Sequence, residues 1–310
     1  MKRRLPILLL AALALLLGAV SYWWRGSATP QAAPIPDIAA ALPPEAPHPA
    51  AIADPAVEAV VNGGISRQEL LQRINKLHRR LTQDDAWHLL VWATGPKPAR
   101  FSGEAWAELA NDTLNILRTQ QQPPAEMTPR LVAMFRDPQT LLVMKDYAIQ
   151  HLGAWLADRD PLASWEQDAA SQKLGAGVIL EAAATVDATY AGTALYSLLE
   201  ISPRLPDLVP QEKVDALVIA AVDSPATHRL TRISALQAAA QRHLAAVLPA
   251  ARRLAFDPVG DASLRLSAIA CLGEIGGAED ARQLAGIPRD TANARLTAAI
   301  DPAIAKISLR

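Results

Sequence analysis

Two adjacent arginines in "LPAARRLAF", Arg252 and Arg253, and a third in "EDARQLAGI", Arg282, are the side chains best suited to gripping a partner. A guanidinium is planar and permanently charged, binds carboxylates through two parallel hydrogen bonds and stacks on aromatic rings. The three lie in consecutive segments of similar pattern, so they are expected to line up along one face and to favour an acidic partner segment. Trp155 and Trp165 flank the stretch "LADRDPLAS" and form a second candidate set. A tryptophan exposed at such a loop could anchor a partner, because tryptophans dominate interface hot spots. Trp87 and Trp92, in "DDAWHLLVWATG", read instead as buried.

Other chemistry finds little footing. There is no GxSxG, no HExxH and no phosphate loop. The glycines of "LGAGVIL" (174–180) lack the strand–turn–helix context and third glycine of a dinucleotide site, and read as a helix–helix contact. The six histidines are scattered, and no Cys/His spacing resembles a zinc site. His151 reads as a surface or capping residue. Cys271 is the single cysteine; it cannot form an internal disulfide and reads as an inert buried thiol. No catalytic residue, metal or cofactor is expected. The net charge of −1 gives no case for nucleic-acid binding. The charge is uneven, however: residues 53–224 carry −7 (15 basic against 22 acidic) and residues 225–310 carry +4 (11 against 7). Such polarity could orient a partner.

The elements that must position these residues are helical. Hydrophobic residues make up 51% of the chain but aromatics only 5%, a balance set by Ala and Leu, which favour helices packed through small side chains. One phrase recurs. "RLSAIACLG" (265–273) matches "RISALQAAA" (232–240), "RLTAAIDPA" (295–303), "KDYAIQHLG" (145–153) and, more loosely, "AGTALYSLL" (191–199). The aligned alanines are Ala148, Ala194, Ala235, Ala268 and Ala298, spaced 46, 41, 33 and 30 residues apart. An Asp, usually followed by Pro, closes the helix before three of these phrases, at Asp137, Asp223 and Asp257. Proline cannot continue a helix interior and Asp can cap the next start, so the pair is a boundary. Each unit reads as helix, short turn, helix, Asp-Pro turn. Within the phrase, Ala268, Ile269, Leu272 and Ile275 share a core-facing stripe. Small Ala268 and Gly273 should let helices approach, and Gly276-Gly277 should end the helix in a left-handed cap.

This pattern resembles HEAT repeats, and "AIACLGEIGG" resembles the HEAT-like repeats of the phycobilisome-lyase group. The resemblance covers Thr128 to Ile307 and implies an all-α fold, an α-solenoid in which each repeat buries one face against its neighbours. It also implies roles. Asp223, Asp257 and Asp290, with Arg232, Arg265 and Arg295, would form a structural ladder between repeats. Arg252, Arg253 and Arg282 would lie on the second helices, which line the concave face.

The N-terminus carries a different signal. After "MKRR", the twenty residues from Leu5 to Trp24 hold no charge. As a helix they span roughly 30 Å, the thickness of a bilayer core. Lys2, Arg3 and Arg4 would stay in the cytoplasm, and Tyr22, Trp23 and Trp24 would sit at the far interface. Bulky Trp23 and Trp24 argue against cleavage there, although Gly26 and Ala28 offer a late signal-peptidase site. Gly26 to Pro55 then holds eight prolines among alanines and reads as an extended tether.

The sequence thus divides into a cytoplasmic tip (1–4), a transmembrane signal-anchor (5–24), a Pro/Ala-rich tether (25–56), an N-terminal helical cap (57–127) and HEAT-like repeats (128–310). It reads as a bacterial inner-membrane, single-pass protein with its C-terminal domain in the periplasm, or as a secreted one if the signal is cleaved. The expected role is a scaffold that binds a protein or peptide in the cell envelope. The alternatives are a lyase-like or enzyme-assisting protein that holds a substrate, and a structural spacer.

Overall fold

The computed structural model describes residues 51–77, 80–157, 169–289 and 294–310. The expected anchor (5–24) and nearly all of the tether lie outside the described residues, as do Trp165 and Asp290. Among the described residues no helix is long and apolar enough to cross a membrane.

The described residues form fourteen α-helices and no strand. They are α1 (Pro55–Val61), α2 (Arg67–Lys76), α3 (Gln83–Thr94), α4 (Gly103–Arg118), α5 (Met127–Arg136), α6 (Leu142–Ala157), α7 (Ala169–Ala184), α8 (Ala191–Ile201), α9 (Gln211–Asp223), α10 (Arg229–Gln241), α11 (Leu248–Phe256), α12 (Ala262–Ile275), α13 (Ala278–Ala285) and α14 (Ala294–Ser308). Helix starts follow local chemistry. Ser66, Thr82, Ser102 and Asp261 each accept a first-turn amide N–H on the side-chain oxygen, satisfying donors that the helix leaves orphaned.

The helices alternate between two layers. Each even helix from α2 to α14 packs on the next even one, and each also packs on its odd neighbours. The odd layer is looser: α9 and α11 meet at only a few residues, and α7 and α9 share no extensive contact. The alternation already runs through α1 to α4, ahead of the first recognisable phrase.

The phrase supplies the even layer, as α6, α8, α10 and α12. Ala148, Ala194, Ala235 and Ala268 are all inaccessible to solvent. Small residues set the close approach between these helices. A methyl added at Gly153 would meet the Ser197 side chain and, at 3.2 Å, its Cα. One added at Gly192 would meet Ser234 and Thr231, and one at Gly273 would lie 3.0 Å from the Cα of Ala303.

Two expectations need correction. Ala298 does not occupy the buried alanine position of the last unit. It is exposed, and Leu296, Ile300, Ala303 and Ile307 face inward instead, because Ala303 is the small residue that faces Gly273. Gly276 is not left-handed either, with φ −72° and ψ 170°. It is needed for space, since a Cβ there would sit 2.5 Å from the Leu272 carbonyl oxygen.

Candidate functional site

The repeat register defines a face. Counting from the buried alanine, the residues one before, two after and six after fall on one side of each even helix. In α6 they are Tyr147, Gln150 and Ala154; in α8, Thr193, Tyr196 and Glu200; in α10, Ser234, Gln237 and Gln241; in α12, Ser267, Ala270 and Glu274. All are exposed or half-exposed, and none is Lys or Arg. The close-packed layer therefore presents a surface of hydroxyls, amides and two phenols.

Hydrogen bonds join this layer from helix to helix. Asn111 on α4 lies 3.1 Å from Nε2 of His151 on α6. Thr193 on α8 donates to Asp146 on α6 at 2.7 Å. The Tyr196 hydroxyl on α8 donates to Gln237 on α10 at 2.6 Å. Burial governs how these groups titrate. Burial drives His151 down to about 3, with the nearby Arg118 charge adding to the effect, so the ring is neutral and carries its proton on the nitrogen facing Asn111. The Asp146 carboxyl is pushed above the usual range by burial, partly offset by Thr193. Tyr147 rises through burial and the nearby charges of Asp146 and Asp112. Tyr196 is pushed up to about 12 by burial. Both phenols are thus protonated hydrogen-bond donors at neutral pH.

The arginines chosen from sequence lie elsewhere, on the looser odd layer rather than on the close-packed one. Arg252 on α11 donates two hydrogen bonds, 2.7 and 3.0 Å long, to Asp280 on α13. Its neighbour Arg253 turns the other way and reaches Asp223 at the end of α9, at 3.8 Å. Successive helix positions diverge by about 100°, so the pair joins α11 to the odd helices on both sides. Arg282 pairs within its own helix with Glu279 at 2.5 Å. The three do not converge on a common point, and each has an acidic partner within the chain. Elsewhere in this layer, Arg136 on α5 reaches Glu181 on α7 at 3.1 Å, and the Arg130 guanidinium on α5 lies over the ring of Trp87 on α3.

Trp155 is a core residue, 5% exposed, and its indole N–H donates to Thr128 at 3.1 Å. It cannot serve as an exposed anchor. Trp92 stacks edge-on against Trp106 in the cap. His151, expected at the surface, is buried. Burial pushes the Cys271 thiol up to about 12.

The ladder also differs from expectation in its chemistry. Arg232 binds backbone carbonyls at the end of α9, those of Val222 at 3.0 Å, Asp223 at 3.4 Å and Ser224 at 2.5 Å, rather than the Asp223 carboxylate. Arg265 lies 3.5 Å from the Pro258 carbonyl. The Asp residues fold their own turns: Asp257 accepts the Val259 N–H at 3.0 Å and Asp137 the Gln139 N–H at 2.8 Å. The repeated arginine therefore caps the preceding helix C-terminus, where orphan carbonyls and the helix dipole favour a cation. Arg295 is exposed.

Two shallow clefts accompany the face. One of about 380 Å³ lies between Arg118, Ala154, Ala157, Glu200 and Arg204. The other, about 350 Å³, opens where α9 and α11 separate and is lined by Asp223, Arg232, Arg253 and Asp257 among others. Among the described residues no group of His, Cys, Asp or Glu is placed to hold a metal ion.

Sequence reasoning passed over Tyr147, Gln150, Tyr196 and Gln237. The signal that finds them is the repeat alignment itself, read at the outward positions instead of the buried one. Comparison with known proteins adds the fold alone. The chain matches no family model and no curated protein. It is similar to the solved structure of human deoxyhypusine hydroxylase in complex with glycerol, at 13% identity over 82% of this chain and 95% of that one, with a TM-score of 0.34. At that score the likeness carries no argument about activity.

Proposed function

We propose that the chain is a binding scaffold, an α-helical repeat stack that holds an extended protein segment along its close-packed layer, tethered outside the cytoplasm by its N-terminus. One observation carries the binding half. The outward positions of four consecutive even helices present uncharged hydrogen-bonding side chains in one repeated register. Repeat stacks use such continuous surfaces for extended partners. The arginines first considered as the binding set are engaged along the other layer, so they support cohesion better than recognition of an acidic partner. The tether half rests on the charge-free run from Leu5 to Trp24 behind three basic residues. A bacterial inner membrane with the repeats in the periplasm fits that run.

The test is photocrosslinking of the full-length chain in intact cells, with the reactive residue at Gln150 or Gln237. Capture of a protein from these positions, and not from exposed Glu212 on α9, supports the reading. Equal capture from all three would show that the close-packed layer is no special surface.

A further inference from the structure

The outward row is rich in donors, and that chemistry selects among extended ligands. Tyr147, Tyr196 and Ser234 offer hydroxyls, and Gln150 and Gln237 offer amides. The Tyr196 hydroxyl takes the Gln237 carbonyl oxygen, which turns the Gln237 amide nitrogen, a pure donor, to the outside. A peptide in a β conformation offers N–H groups as often as carbonyls and would leave donor facing donor along this row. A proline-rich strand offers carbonyls almost alone, because proline has no N–H.

Pitch points the same way. Packed helices lie about 8–10 Å apart, and the contacts at Gly153 and Gly192 place α6, α8 and α10 toward the close end. A polyproline II strand repeats every three residues, or roughly 9 Å. A β strand repeats every two residues, or roughly 6.6–6.8 Å, and falls out of step at the second helix. Tyrosine supplies the remaining element, a flat ring for a pyrrolidine to rest on, as in other grooves that take proline-rich segments.

We infer that the row formed by Tyr147, Gln150, Tyr196, Ser234 and Gln237 seats a proline-rich segment of a partner protein in the polyproline II conformation, crossing α6, α8 and α10 at three residues per helix. This rests on the close-packed layer being the binding face.

The probes are two synthetic twelve-residue peptides carrying the same fluorophore, one proline-rich (a repeated Pro-Pro-Ala) and one of Gly and Ser. Binding to the full-length chain in detergent is followed by fluorescence anisotropy. The proline-rich peptide is expected to bind at least tenfold more tightly. Gln150→Lys with Gln237→Lys, both at exposed positions, should abolish that preference without lowering the melting temperature. Tyr196→Phe keeps the ring and removes only its hydroxyl, and should weaken binding severalfold. Equal affinity for the two peptides, or a preference that survives the double lysine variant, overturns the inference. Capture in cells of a partner segment without proline at Gln150 would also overturn it, while leaving the binding scaffold intact. Loss of all capture at the row would remove both.

Discussion

Asp146 and Asp280 are carboxylates in sheltered places, yet the protein holds them in opposite ways. Asp280 is fully inaccessible and accepts from Arg252 and from the Gly277 N–H. The Arg252 bond leads, and it holds the carboxyl below its usual range against burial. Its contribution is present above the unfolded value of about 3.9 and is lost as pH falls through the lower folded value. Asp280→Ala should cost about 1.5–3 kcal/mol in urea unfolding at pH 7. Arg252→Ala should cost less, because the arginine side chain is 44% exposed. Asp146 has the reverse sign. Its raised carboxyl favours the folded state at low pH, and that contribution is lost as pH rises through the folded value. Asp146→Asn keeps an acceptor for Thr193 and removes the buried charge, so it should raise the melting temperature at pH 7 and change nothing below about pH 3.9. A variant less stable at both pH values would contradict this account. Sequence could flag Arg252 as unusual, but its partner lies 28 positions on, at Asp280, and no local pattern announces a pairing across two helices.

Helices of the close-packed layer depend on missing side-chain atoms as much as on present ones. Gly153→Ala forces a methyl into Ser197 and should destabilise by about 1–3 kcal/mol, the usual cost of overpacking. Gly177→Ala, where a methyl meets nothing within 4 Å, should instead gain roughly 0.5–1 kcal/mol from its better helix propensity. If the two variants melted alike, close approach would not be what Gly153 provides. The helices and their buried alanines were legible in the phrase, because packing recurs at fixed spacing. Two features were not. The last unit slips its register, since Leu296, Ile300, Ala303 and Ile307 form a competing apolar stripe in the same helix. Layer membership was also hidden: a helix–turn–helix repeat can be cut at either turn, and the wrong cut exchanges first helices for second. That exchange put Arg252, Arg253 and Arg282 on the wrong layer.

For the whole molecule, an all-helical repeat stack was readable from composition and recurrence, but the binding face was not. Its Gln, Ser, Thr and Tyr residues are ordinary surface types, and only the stacking of four helices makes a row of them. The membrane reading makes its own prediction. A reporter active only outside the cytoplasm, fused after Arg310, should be active, and the mature chain should retain Leu5 to Trp24. A mature N-terminus near Thr29 would refute the anchor while leaving export intact.

The joints between odd helices, from Arg136 with Glu181 to Arg253 with Asp223 and Arg252 with Asp280, are ionic, whereas α6, α8 and α10 meet through small side chains and neutral or hydroxyl-donated bonds. Dissolved salt therefore acts on the two layers unequally. Raising sodium chloride from 0.1 M to 1 M shortens the screening length from about 10 Å to about 3 Å. Amide exchange should then accelerate in α5, α9 and α11 and hold steady in α6 and α8. Ionic strength would loosen one side of the stack at a time, and a partner held along α6 to α10 would keep its seat while the opposite side breathes.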